Sequence, residues 1–159
     1  MTEFLIATFG FLFMSPFNIS GDSMEPIMSH EDTVMFESLS YSLEEPARGD
    51  IVVFYGTDEP DKIFVKRIIG MPGETILIRE EKVFVVDEDG NEEQLEEDYL
   101  RKSDREYSLR QIDGTRYQVP EGKYFMLGDN RNNSFDSRTW HDPFIPKESL
   151  VGKYYFELF

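Results

Sequence analysis

The sequence contains no cysteine, which excludes a disulfide framework and any thiolate metal site. Histidine is nearly absent, with only His30 and His141 in 159 residues. Basic residues number 16 against 32 acidic ones, a net charge of −16, and none precedes Arg48. A surface of that sign repels phosphates and anionic head groups, which argues against nucleic-acid binding. The bland reading of the acidity is a solvated, aggregation-resistant surface. Helical periodicity is also scarce.

What is present fits a globular protein: 40% hydrophobic and 14% aromatic residues, long enough for one sizeable core. The amino end, "FLIATFGFLFMSPFNI" at 4–19, is nearly continuous apolar sequence. At 16 residues it falls short of the roughly 20 that span a bilayer, and Met1-Thr2-Glu3 supplies no positive charge for a secretory signal. Three readings stay open: the trimmed end of a membrane anchor, an interfacial segment, or a buried core strand. Pro16 and the aromatic run favour an extended path for its second half.

From residue 33 onward, short β segments alternate with turns. "TVMFE", "DIVVFYG", "KIFVKRIIG", "ETILIRE", "KVFVVDEDG", "TRYQVPEGKYFMLGD" and "LVGKYYFELF" read as strands or strand pairs. Turn signals at Arg48-Gly49, Pro72-Gly73, Asp89-Gly90 and Asp113-Gly114 punctuate them. "DEDGNEEQLEED", residues 87–98, holds eight carboxylates and no base, yet lacks the ligand pattern of a calcium loop. It reads as a solvated hairpin or loop, and residues 92–113 are the least strand-like stretch. The expectation is a mainly β domain over 16–159 with an acidic excursion at about 87–116, preceded by an apolar segment at 1–15.

"ISGDSMEP", residues 19–26, sets Ser23 among turn formers. There a serine is either solvated or displayed as a nucleophile. A hydroxyl needs a base to take its proton, and histidine is scarce. In "IFVKRII", residues 63–69, strand alternation puts Lys66 on one face with Phe64 and Ile68. A free lysine is neutral in only about 0.04% of molecules at pH 7. Lowering its pKa to about 8 needs roughly 3 kcal/mol against the charged form, within reach of an apolar pocket. On periodicity alone, a lysine that snorkels to water from a sheet edge is the favoured reading. A third stretch, "GDNRNNSFDSR" at 128–138, is either a loop of Asx turns or a support that holds a lysine amine with a hydroxyl and locks itself with a carboxylate and a guanidinium.

Taken in order, "SGDSMEP", "RGDIVVF", "VKRIIGMPGE" and "GDNRNNSFDSR" resemble the sequence boxes of bacterial type I signal peptidases, membrane-bound serine proteases with a Ser/Lys dyad. The resemblance runs from about Pro16 to "VGK" at 151–153, apart from the acidic excursion. It implies a coiled antiparallel β-sheet or barrel fold with few short helices. Ser23 matches the nucleophile, Lys66 the general base and Ser134 the serine that orients the lysine. Asp136 and Arg138 match a structural ion pair, and Phe17, Ile19, Phe64 and Val65 match positions near pockets for small substrate residues. The Ser23 N–H inherits an oxyanion-hole role. Some branches add a hydroxyl two residues before the nucleophile; here Gly21 stands there, with Ser20 as another candidate donor. "TWHDPFIP" looks longer than the family's usual connection.

The resemblance further implies preprotein signal peptides as substrates, membrane lipid and the export machinery as partners, no metal or organic cofactor, and a catalytic domain on the extracytoplasmic side of the cytoplasmic membrane. His30 and His141 read as ordinary surface or structural residues. Two rival readings are a self-cleaving repressor-type Ser/Lys protease and a non-catalytic membrane-associated relative.

Overall fold

The computed structural model describes residues 13–80, 82–101 and 113–158. Among these described residues, eleven strands form two antiparallel sheets. The larger contains β1 (Met14–Asn18), β2 (Thr33–Glu37), β3 (Ile51–Tyr55), β4 (Ile63–Gly70), β9 (Lys123–Leu127), β10 (Phe144–Pro146) and β11 (Leu150–Leu158). Its order is β1-β2-β11-β3-β4-β9-β10, an open, curled half-barrel. The smaller sheet, ordered β7-β6-β5-β8, is built from β5 (Thr75–Arg79), β6 (Lys82–Val86), β7 (Glu92–Gln94) and β8 (Thr115–Gln118). Among the described residues one short α-helix, α1 (Ser40–Leu43), matches the expectation of few helices. Among the described residues no helix is long and apolar enough to cross a membrane.

The uninterrupted apolar run in β3 reflects a central strand covered on both faces. Ile51 and Val53 pack into a cluster with Met24, Val34 and Phe36. Val52 and Phe54 point the other way, into a cluster with Ile68, Met126 and Trp140. A third cluster, including Ile69, Ile76 and Phe125, joins the large sheet to the small one. Each such side chain contributes about 1.5–3 kcal/mol by leaving water.

Three elements differ from the sequence expectation. The second half of the apolar amino end is extended, but as β1 it is an edge strand paired only with β2, largely exposed at Ser15, Pro16 and Asn18. Proline has no N–H to give a second neighbour, so an edge suits it. Residues 1–12, which carry most of the possible membrane segment, lie outside the described residues. The acidic stretch is a hairpin, but its second arm is β7, an exposed strand paired with β6. Arg79 and Arg116 both pair with Glu92 there. "TWHDPFIP" buries Trp140 against Phe54 and Phe64 and then forms β10 on β9.

Two ion pairs hold the loop after β9. Arg67 of β4 donates from Nε and Nη2 to both oxygens of Asp129, at 2.8 and 2.5 Å, and from Nη1 to the Gly49 carbonyl. Its guanidinium also lies 3.9 Å from the centre of the Tyr99 ring. Arg131 pairs with Glu97 beside β7. Removing one partner of a buried pair leaves a bare charge, at a cost of about 3–5 kcal/mol. Asp129→Ala is therefore expected to lose about 3 kcal/mol in urea unfolding, the low end because Arg67 keeps Gly49 and Tyr99. A loss below about 1 kcal/mol would mean that water reaches Arg67.

Candidate active site

Ser23 lies in the turn between β1 and β2, and three features fix that turn. Gly21 has φ +98°, a conformation that side chains rarely adopt, so the backbone itself disfavours a hydroxyl-bearing residue there. The Gly21 N–H donates to His30 Nδ1 at 3.1 Å, which makes His30 a structural residue of the turn. The third hold comes from Asn130, whose N–H donates to the Ser23 carbonyl at 3.0 Å and whose Nδ2 donates to the Asp22 carbonyl at 3.0 Å. His141 is remote in function: its backbone N–H donates to Asp58.

Lys66 is 4% exposed, so it does not snorkel. Its Nζ lies 2.7 Å from Ser23 Oγ and 2.8 Å from the Val65 carbonyl. Burial lowers its pKa from 10.5 to about 8; Asp136 and Asp129 pull it back up, and Arg138 pushes it down. Desolvation wins because both carboxylates are already claimed by guanidinium groups. At pH 7 roughly one lysine in ten is then neutral, against about 0.04% for a free one. A neutral amine at this distance can accept the hydroxyl proton.

Asp136 and Arg138 form a buried bidentate pair, Nε to Oδ1 and Nη2 to Oδ2, each 2.7 Å. Burial would raise the Asp136 carboxyl, but the hydrogen bonds and charge of Arg138 hold it below its ordinary range. Asp136 also accepts from the Gly128 N–H. Ser134 Oγ is buried and near enough to the Asp136 carboxylate to help hold that carboxyl down, while the hydrogen-bond partners of Lys66 Nζ are Ser23 and Val65. Ser134 packs against Gly128, where an added Cβ would lie 2.2 Å from Ser134 Oγ and 2.4 Å from the Ser23 carbonyl oxygen. Only glycine lets the loop come that close.

A cleft of about 470 Å³ opens beside the pair. Phe17, Ile19, Phe64 and Val65, the four residues assigned to substrate pockets, all line it, together with Ser20, Asn133 and Phe135. One wall offers a strand edge that no other strand covers among the described residues: β4 bonds β3 from Ile63 to Arg67 but meets β9 only from Arg67 onward. Sequence reasoning missed Asp129, Asn130 and Arg67. The signal was available in part, since a lone basic residue next to Lys66 and an acid in "GDNR" invite pairing, but nothing local says which ends meet.

Comparison with known proteins shows the family. A family model, "Signal peptidase, peptidase S26", matches residues 1–159. A probable signal peptidase I-2 of Synechocystis is 38% identical over 140 residues, covering 85% of this chain and 58% of that protein. Signal peptidase I of Pseudomonas aeruginosa is 32% identical, covering 92% and 62%. Signal peptidase I U of Bacillus subtilis is 34% identical, covering 95% and 82%. The crystal structure of a signal peptidase I from Enterococcus faecalis matches with a TM-score of 0.54 and 33% identity, over 69% of this chain and 97% of that one. The chain belongs to the S26 signal peptidase family. It spans only about three-fifths of the length of the Synechocystis and Pseudomonas relatives.

The cost of burying Lys66 is measurable in stability. Below about pH 8 the amine is charged in both folded and unfolded chains, and folding bears the full desolvation penalty. Between about 8 and 10.5 the unfolded chain holds more protons, so stability rises with pH. Lys66→Met, which removes the charge and two hydrogen bonds, is expected to stabilise the fold by roughly 1–3 kcal/mol at pH 7 and by less at pH 10. Denaturant titrations at both pH values check this; a destabilised variant at pH 7 would contradict a desolvated ammonium.

Proposed function

We propose that this chain is a serine endopeptidase that removes amino-terminal signal peptides from exported preproteins, with Ser23 as nucleophile and Lys66 as general base. The observation that carries the reading is the 2.7 Å contact between a buried, pKa-lowered amine and the Ser23 hydroxyl. With the amine neutral, the contact reverses: Oγ–H donates to the Nζ lone pair. Oγ then attacks the scissile carbonyl carbon, Nζ takes the proton, and the tetrahedral intermediate collapses as the leaving amine receives that proton. Water, deprotonated by the same lysine, releases the acyl group. The Ser23 N–H, which donates to no acceptor among the described residues, would face the developing oxyanion.

Substrate binding follows from the open edge of β4. An extended peptide added along Ile63–Lys66 would present alternate side chains to the cleft. Phe17, Ile19, Phe64 and Val65 leave room there for small residues of the kind the family accepts. Asp136 and Arg138 support the loop. Ser134 keeps the part of orienting the lysine, through a bond that tightens only in the loaded site. Residues 1–15 would associate with the membrane, 16–159 would form the catalytic domain on its extracytoplasmic side, and lipid and the export machinery would be neighbours. Ile63 and Phe135, exposed at the cleft, suit an apolar surrounding.

In detergent or lipid, the chain is expected to cleave a signal-peptide-bearing preprotein at a rate that rises through a midpoint near pH 8 as Lys66 deprotonates. Ser23→Ala and Lys66→Ala should each lower the rate by at least about a thousandfold. A folded wild-type chain that cuts nothing, or variants that cut normally, would remove the dyad assignment and favour a non-catalytic relative. Fragmentation without substrate would favour the self-cleaving alternative.

A further inference from the structure

Asn130 is the residue that the reaction as written does not use and that the geometry ties most tightly to it. Its carboxamide Nδ2 donates to the Asp22 carbonyl at 3.0 Å, while its backbone N–H donates to the Ser23 carbonyl at 3.0 Å. The identity of the side-chain atom is fixed by chemistry, since a carbonyl oxygen only accepts. The Asp22 carbonyl and the Ser23 N–H belong to one planar peptide unit. In a trans peptide they point in opposite directions. A group that holds the carbonyl therefore aims the N–H, and a carbonyl that accepts a hydrogen bond makes the N–H across the same amide a stronger donor.

That N–H matters more here than it would with a neighbouring hydroxyl. Gly21 supplies no side chain, and its left-handed φ keeps the position suited to glycine. The Asp22–Ser23 peptide is otherwise flanked by a turn with an exposed surface. Asn130 itself is anchored: Asp129 before it is locked to Arg67, and the carbonyl of Gly128 accepts from Arg131 Nε at 3.0 Å. The clamp is thus rigid on the side that does the holding.

We propose that Asn130 is a positioning residue for the oxyanion hole, aiming and polarising the Ser23 N–H through the Asp22 carbonyl. The inference rests on the peptidase reading above. It acts on the charge that develops when Ser23 Oγ bonds to the carbonyl carbon and the C=O electron pair moves onto oxygen. It leaves substrate binding and the Lys66 proton equilibrium alone.

The test compares the full wild-type chain with Asn130→Ala and the near-isosteric Asn130→Asp, which keeps the backbone bond but replaces the side-chain donor with a carboxylate. Three quantities are read: kcat and KM on one preprotein, the pH–rate profile, and inhibition by a peptide aldehyde carrying the substrate residues before the cut. Addition of Ser23 Oγ to the aldehyde carbon, with its proton passing to Lys66, makes a tetrahedral oxyanion without cleavage. Both variants should lose about ten- to a hundredfold in kcat, less than the hundred- to thousandfold for deleting a donor outright. KM should stay within about twofold, the aldehyde inhibition constant should rise by the same factor as kcat falls, and in Asn130→Ala, which adds no charge, the midpoint of the rising limb should not move.

If either folded variant keeps wild-type kcat and aldehyde affinity, or if KM and the pH midpoint of Asn130→Ala shift along with kcat, Asn130 is a general loop support and the inference is overturned. A wild-type chain that cuts no preprotein removes the peptidase reading itself, a separate result.

Discussion

An ammonium group resists leaving water, and the arrangement around Lys66 depends on overriding that resistance. The amine is carried on a strand with core clusters around it, reaches Ser23 at 2.7 Å, and is left almost no solvent. A pKa near 8 corresponds to roughly 3 kcal/mol of disfavour toward the charged form. Two carboxylates close enough to undo this, Asp136 and Asp129, are each paired with a guanidinium. Those pairs do more than brace a loop. By engaging the carboxylates they stop the lysine from acquiring a full counter-ion, and so they protect the neutral amine.

The same loop ties the parts of the molecule together. Between Gly128 and Arg138 it reaches β4 through Asp129, the Ser23 turn through Asn130, and the acidic hairpin through Arg131 and Glu97. The acidic stretch therefore combines a solvated surface with one buried contact to the site. Close approach at Gly128 brings these tethers within one turn of the nucleophile. Such a network is costly unless every member is satisfied, and the Ser134 hydroxyl sits buried within it, against Gly128 and near the Asp136 carboxylate.

Most of the fold was legible because period-two alternation and glycine turns are local signals. The seven expected strand segments fall on β2 to β6, β8, β9 and β11. β7 and β10 escaped because at three residues each is too short to show an alternation; β7 is wholly polar and β10 wholly apolar. The Ser23–Lys66 meeting became readable through ordered motifs; alternation alone favoured a snorkelling lysine. The Arg67–Asp129 and Asn130–Asp22 contacts span 62 and 108 residues in sequence. No local rule reports such long-range polar pairings; they follow from strand register and loop geometry.

The central claim is that burial makes Lys66 a base, and its amine can be titrated directly. With lysine labelled at the ε-carbon and the Lys66 signal assigned by its loss in Lys66→Met, NMR spectra across pH 6 to 12 would follow that one group. If burial sets its basicity, the Lys66 amine titrates with a midpoint near 8. A midpoint near 10.5 would mean that the amine keeps its charge through neutral pH, and the proposed proton transfer from Ser23 would lose its acceptor.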